Sequence, residues 1–320
     1  MSVRFGPPPA FDPEAATVLG TVDDWAPAAL RPEQVPAVRE RFNAHVLSDE
    51  ELRQGGRIDL WDQRVSDEVS VVVGRPAELK VPAPAVYWIH GGGMVMGTNR
   101  GGIGDPLAWA LELGLVVVSV EYRLAPEHPH PVPVEDCYAG LLWTDRNADE
   151  LGIDPAGLVV AGASAGGGLG AALALMARDR GGPRLAGQLL LSPMLDDRND
   201  SPSTLQLTGV GVWDRTANDT GWTALLGAAR GGPDVSPYAA PARAEDLSGL
   251  PPAFIDAGSA ESFRDEDVAY ASRIWLAGGA AELHVWPGGY HRFDALVPDA
   301  TLSRDAKAAR VRWLRRILTT

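Results

Sequence analysis

Apolar residues in this chain are bunched into short unbroken runs, separated by longer segments where they recur with helical period. Ala85–Ile89 (AVYWI), Leu115–Val120 (LVVVSV), Leu158–Ala161 (LVVA), Gln188–Leu191 (QLLL) and Ala253–Asp256 (AFID) are too short for helices and too continuous for a half-exposed sheet face. They read as strands buried on both sides. Arg57–Val65 and Glu68–Gly74 alternate well enough to read as a pair of edge strands, and Ala281–Trp286 reads as the last strand. Helical periodicity predicts helices over Pro106–Leu113, Val134–Arg146, from about Gly167 onward, Arg264–Ala277 and Ser303–Leu318. Lys80–Pro84 and Glu121–Glu127 read as loops and Leu195–Asp200 as a polar exit. Residues 200–248 read as irregular apart from a helix around Thr216–Leu226. Strands alternating with helices at this spacing imply a mostly parallel sheet covered on both faces.

Residues 1–55 stand outside this alternation. The Pro-rich start is expected to be mobile. Arg31 to Leu52 reads as a charged amphipathic helical stretch with Val38, Phe42, Val46 and Leu47 as its apolar stripe. It serves either as a surface helix or as part of a lid.

Composition narrows the function. The chain has 320 residues, 45% hydrophobic and 22% charged, and a formal net charge of −14, so it is globular and acidic. Nucleic acid and anionic membrane surfaces require basic patches and are not expected partners. No apolar run approaches the ~20 residues of a membrane-spanning helix, and the start (MSVRFGPPPAFDP) lacks the apolar segment of a signal peptide. The single cysteine, Cys137, lies in a predicted helix without an activating neighbour and reads as a structural thiol. With no intrachain disulfide available, a reducing cytoplasm is expected. The histidines are scattered and neither CxxC nor HExxH occurs, so no metal or cofactor is expected.

The chemistry centres on Gly162-Ala163-Ser164-Ala165-Gly166, between the Leu158–Ala161 strand and a small-residue helix. A G-x-S-x-G turn at that junction projects its serine at the C-terminal end of a strand, where helix N–H groups favour negative charge. A dinucleotide-binding turn has a similar look. That rival belongs after the first strand, however, and its dehydrogenase form needs a Tyr-x-x-x-Lys pair. Pro76 precedes Lys80 and Ser303 precedes Lys307 by four residues, and these are the only lysines. A phosphate-binding Gly-Lys-Ser/Thr is also absent.

A serine nucleophile on such a sheet makes further demands. It needs amide donors from an upstream loop, then an acid and a histidine after later strands. His90-Gly91-Gly92-Gly93 directly follows a buried strand and exposes the amides of Gly91 and Gly92, which can act with that of Ala165. Only His284 and His291 follow Ser164. His284 lies within the last strand and reads as structural. His291 lies in the loop at that strand's C-terminal end, where sites form in parallel sheets. For the acid, Asp256 ends a strand, Glu261 is the one carboxylate in the following loop, and Asp265, Glu266 and Asp267 begin a helix whose dipole they suit. Position favours Glu261.

With these residues in place, the chain resembles the hormone-sensitive-lipase-type (bacterial family IV) carboxylesterases. The resemblance rests on His90–Gly93 (HGGG), Tyr122–Cys137 (YRLAPEHPHPVPVEDC), Gly162–Gly167 (GASAGG), Ser236–Ile255 (SPYAA…LSGLPPAFI) and His291–Phe293 (HRF), in family order over roughly residues 55–318. It implies an α/β-hydrolase fold: a mostly parallel eight-stranded sheet flanked by helices, with a helical cap. Residues 56–320 would form the core, 1–55 a cap segment and 200–248 a cap insertion. It also implies Ser164, Glu261 and His291 as a triad. Departures from the family pattern are Ala163 in place of an aspartate, Glu261 in place of the aspartate of the acid motif, and Arg292 in place of a glycine.

The expected reaction is hydrolysis of short to medium acyl esters through an acyl-enzyme, on a small-molecule substrate and by a possible homodimer. Met94, Met96, Trp213 and Trp222 are candidates for an apolar pocket wall. Arg123, Glu127 and Asp136 read as a structural ion network. The same triad serves acyl transfer or amide or lactone cleavage. A non-catalytic receptor would have no need to keep all three residues.

Overall fold

The structure, a computed structural model, describes residues 6–319. Eight strands form one sheet: β1 (Ile58–Arg64), β2 (Ser70–Pro76), β3 (Ala83–Ile89), β4 (Val116–Glu121), β5 (Ile153–Ala163), β6 (Gly187–Leu191), β7 (Ala253–Gly258) and β8 (Ala281–Trp286). Their order is β1-β2-β4-β3-β5-β6-β7-β8. The pairs β1–β2 and β2–β4 are antiparallel and the rest parallel, so the C-terminal ends of β3 to β8 open on one side of the sheet. All the loops that carry candidate chemistry leave from that side.

Only one of the two predicted early edge strands is an edge. β2 lies between β1 and β4, and Val71, Val72 and Val73 are fully buried. Three consecutive valines cannot present one face to water, and this continuity outweighs the alternation around it. β3 also starts earlier than expected, taking in Ala83 and Pro84 from the predicted loop. The Ala165–Arg180 helix starts immediately after Ser164 and is buried along Ala165–Ala177; its glycines and alanines let it lie deep against the sheet.

The N-terminal helical stretch is broken. One helix runs Val35–Ala44, and a second, Asp49–Leu52, is started by Ser48, whose hydroxyl accepts the Glu51 N–H while the Glu51 carboxylate accepts the Ser48 N–H. Arg39 ties the first helix to the core: its guanidinium donates to the carbonyls of Val95 and Ala125 and grips both oxygens of Glu127. Glu127 therefore pairs with Arg39, while Arg123 pairs with Asp136 at 2.7 Å, so the expected single network is two. The Pro-rich start, exposed at Gly6 and Pro7, is tethered to the core by the Gln206 side chain, which donates to Gly6 O, and by contacts further along. The Asp12 N–H bonds Gly288 O at 2.9 Å, and Phe11 meets Tyr290 edge-on; Met1–Phe5 lie outside the described residues. Cys137 is buried, and burial pushes its thiol pKa well up, as suits a structural thiol. Among the described residues no helix is long and apolar enough to cross a membrane.

Candidate active site

Ser164 stands between β5 and its helix with φ 58° and ψ −121°, a conformation costly for a residue with a side chain. The surroundings hold it there. Its N–H donates to Leu191 O at 2.8 Å, and its carbonyl accepts the Gly168 and Met194 N–H groups at 3.0 Å. Gly166 is required because a Cβ there would collide with the Ile89 carbonyl oxygen. The helix can thus begin directly against the end of β3, which brings the two backbone loops together.

The second loop is His90–Gly93. A Cβ on Gly91 would lie 2.8 Å from Ala163 O and 3.2 Å from the Ser164 Cβ, so this backbone runs in contact with the serine. Among the described residues the N–H groups of Gly91, Gly92 and Ala165 have no backbone acceptor, which leaves them available to a substrate oxygen. His90 braces the loop. Its ring stacks on Tyr122 at 4.2 Å, its Nδ1–H donates to Gly91 O at 2.8 Å, and the Tyr122 hydroxyl donates to His90 O. Burial lowers the His90 pKa to about 4, so the ring is neutral near pH 7.

His291 reaches Ser164 from the loop after β8. Its Nε2 lies 3.0 Å from Ser164 Oγ, and its ring meets Phe263 edge-on at 5.0 Å. Glu261 Oε2 lies 3.6 Å from His291 Nδ1, beyond hydrogen-bond length, while accepting the Ser192 hydroxyl at 3.0 Å. Neither His291 Nδ1 nor Glu261 Oε1 has a hydrogen-bond partner among the described residues. The two groups face each other at ion-pair distance without a hydrogen bond between them. Of the other acids, Asp256 is taken by Arg310 and Trp286, Asp265 by the Ser203 N–H, and Glu266 by the N–H groups of Leu195 and Asp196, while Asp267 is fully buried, neither of its oxygens has a hydrogen-bond partner among the described residues, and burial pushes its carboxyl pKa well up. His284 stacks between Phe254 and Trp286 and bonds Glu282, remote from this chemistry.

Ser192 is the partner that the sequence reading passed over. It follows β6 in Leu191-Ser192-Pro193, at φ 44°, where a residue leaving the C-terminal end of a strand enters the crevice. That position was the available signal.

A cavity of about 650 Å³ lies over Ser164 and His291. Its apolar walls include Trp25, Leu30 and Phe42 from the N-terminal segment, Val212 and Trp213 from the 200–248 segment, and Leu296. Met96 also lines it. Met94 and Trp222, expected in the wall, do not: they are 1% and 0% exposed and belong to the main apolar core. Trp213 is held against the glycine loop, where a Cβ on Gly93 would overlap its ring. Among the described residues no group of three or more His, Cys, Asp or Glu is placed to hold a metal ion.

Residues 86–295 match a family described as alpha/beta hydrolase fold. The carboxylesterase NlhH of Mycobacterium tuberculosis is 40% identical over 246 residues, 73% of this chain and 74% of that protein. The esterase LipI of the same organism is 37% identical over 227 residues, covering 68% and 69%. A solved structure titled bacterial heroin esterase superposes with a TM-score of 0.90 at 37% identity, covering 97% of this chain and 99% of that one. Fold, elbow, glycine loop and sequence agree: the chain belongs to the hormone-sensitive-lipase-type carboxylesterases of the α/β-hydrolase fold.

Proposed function

We propose that this carboxylesterase uses Ser164 as nucleophile, His291 as general base and then acid, and Glu261 as the carboxylate that orients the imidazole. His291 Nε2 takes the Ser164 proton as Oγ attacks the acyl carbonyl. The amides of Gly91, Gly92 and Ala165 receive the oxyanion. The intermediate expels the alcohol, which leaves with the proton from His291 and gives an acyl-Ser164 ester. Water, activated by His291, then releases the acid and restores the serine. Glu261 stabilises the imidazolium that appears twice in the cycle. Ser192, through its hydrogen bond to Glu261, is a positioning residue.

The observation that carries this reading is the 3.0 Å contact between Ser164 Oγ and His291 Nε2 at the floor of a largely apolar cavity. The cavity, about 650 Å³, lies in the range of small-molecule sites of ~300–1,000 Å³, which supports short to medium acyl esters as substrates. The N-terminal segment and residues 200–248 act as the cap, and the enzyme works in the cytoplasm. The test is hydrolysis of 4-nitrophenyl butyrate by Ser164→Ala. Turnover is expected to fall by about 10⁴-fold or more; turnover near the unmodified rate would remove Ser164 from the role.

A further inference from the structure

The cations in the cavity wall are held unequally, and the most loosely held sits beside the catalytic histidine. Besides histidines, the basic side chains lining the cavity are Arg100, Arg292 and Lys307, and Asp105 is the one lining carboxylate among the described residues. Two of the three are held by close carboxylate partners. Arg100 donates to both Asp49 and Asp62, and Lys307 Nζ lies 3.1 Å from Asp105. Arg292 is different. Its Nη1 is buried without a hydrogen-bond partner, and its nearest carboxylate, Asp294, is 3.9 Å from Nη2. Asp294 meets Arg310 in a shorter, hydrogen-bonded contact, and because Arg310 also pairs with Asp256, Asp294 remains the long ion-pair partner of Arg292.

Backbone geometry maintains this arrangement. Arg292 has φ 60°, a left-handed conformation that is uncommon for a long side chain, and its carbonyl accepts the N–H groups of Ala295 and Leu296. Its side chain is 15% exposed, so water screens its long pair with Asp294 only in part. A planar fork of N–H donors in this setting matches a carboxylate. The one carboxylate in the pocket wall, Asp105, is taken by Lys307, and the position before the nucleophile is Ala163.

We propose that Arg292 forms an anion subsite within the cavity, so that the favoured esters carry a carboxylate in addition to the bond that is cleaved. The anion enters either on the acyl part, as in a half-ester of a dicarboxylic acid, or on the alcohol part, as in an ester of a hydroxy acid or carboxyphenol. The local cation also overcomes the repulsion that a chain of net charge −14 would otherwise present to such a substrate.

The test compares isosteric pairs, and it rests on the ester-cleaving reading without being confounded with it. For the acyl side, mono-4-nitrophenyl adipate is set against 4-nitrophenyl hexanoate. For the alcohol side, 4-carboxyphenyl butyrate is set against 4-methylphenyl butyrate. In the unmodified enzyme one anionic member is expected to have the higher kcat/KM. Arg292→Gln should lower that pair's anionic-to-neutral ratio about tenfold or more, Arg292→Lys should lower it less, and 0.5 M NaCl should compress it. The pair that responds identifies the source of the carboxylate. Ratios unchanged within about twofold in Arg292→Gln, for both pairs, would overturn the subsite. Failure of the unmodified enzyme on the neutral esters would instead count against the ester-cleaving reading. Should Arg292→Gln lose all turnover, inhibition of the unmodified enzyme by benzoate against benzamide gives the same decision: stronger inhibition by benzoate supports the subsite, and equal inhibition overturns it.

Discussion

The floor of the cavity and its walls are held by different kinds of contact. At the floor, backbone lies on backbone: Gly91 against Ala163 and Ser164, Gly166 against Ile89, and Ser164 hydrogen-bonded through its own N–H and carbonyl. The walls are attached by side chains reaching across. Arg39 holds the Val95 and Ala125 carbonyls, Asn43 accepts the Gly97 N–H, Thr220 donates to Leu30 O, and Tyr290 donates to Ala15 O. A backbone-built floor tolerates almost no substitution, because adding one carbon displaces a chain. A wall pinned by side chains can exchange residues and keep its position. The chemistry is therefore tied to the fold, and specificity is free to vary.

Substitutions at the floor should accordingly cost far more than substitutions at the walls. The largest effect after loss of the serine itself is expected for Glu261→Gln, which keeps the shape but cannot support the imidazolium: kcat should fall about 10³-fold or more with KM little changed. A loss under tenfold would show that the 3.6 Å leg is not used. Gly91→Ala should lower kcat on 4-nitrophenyl butyrate about 10²- to 10³-fold by displacing an oxyanion donor, a result that near-normal kcat would contradict.

His90 sharpens the comparison through stability. Its folded pKa of about 4 lies below its ordinary 6.5, so between these values the unfolded chain takes up a proton that the folded chain resists. The stability involved is present above pH 6.5 and is lost as pH falls to 4, by about 3 kcal/mol. Burial raises the carboxyl pKa values of Glu266 and Asp267, which act with opposite sign but are common to both proteins. The difference between wild type and His90→Gln in urea unfolding should therefore shrink toward pH 4; a pH-independent difference would refute the buried neutral ring. At the wall, Arg39→Ala should cost about 1–2 kcal/mol of stability and raise KM several-fold with kcat nearly retained. An equal loss of kcat would erase the distinction between floor and wall.

Much of the floor was legible in the sequence because its constraints are local. The glycines flank Ser164 in the chain, and His291 is the one histidine in a loop beyond it. The wall was less legible because its contacts are distant. Met94 and Trp222 carry the composition of a pocket wall, yet nothing local distinguishes a core-facing aromatic from a cavity-facing one. Ser192 acquires its role only when β6 and β7 lie side by side and bring it to Glu261, 69 residues away. The interior place of β2 was readable from its three valines but was hidden by the alternation around them. The break at Ser48 had a clear local cause in the Ser-x-x-Glu cap, overridden in reading by the long apolar stripe.

The central claim is that Ser164 carries the acyl group during turnover. The most direct measurement is reaction with a fluorophosphonate, followed by intact-mass and peptide mapping of wild type, Ser164→Ala and His291→Ala. One adduct per chain on Ser164 is expected in the wild type, none in Ser164→Ala, and strongly slowed labelling in His291→Ala. An adduct on another residue, or labelling that persists in Ser164→Ala, would contradict the account.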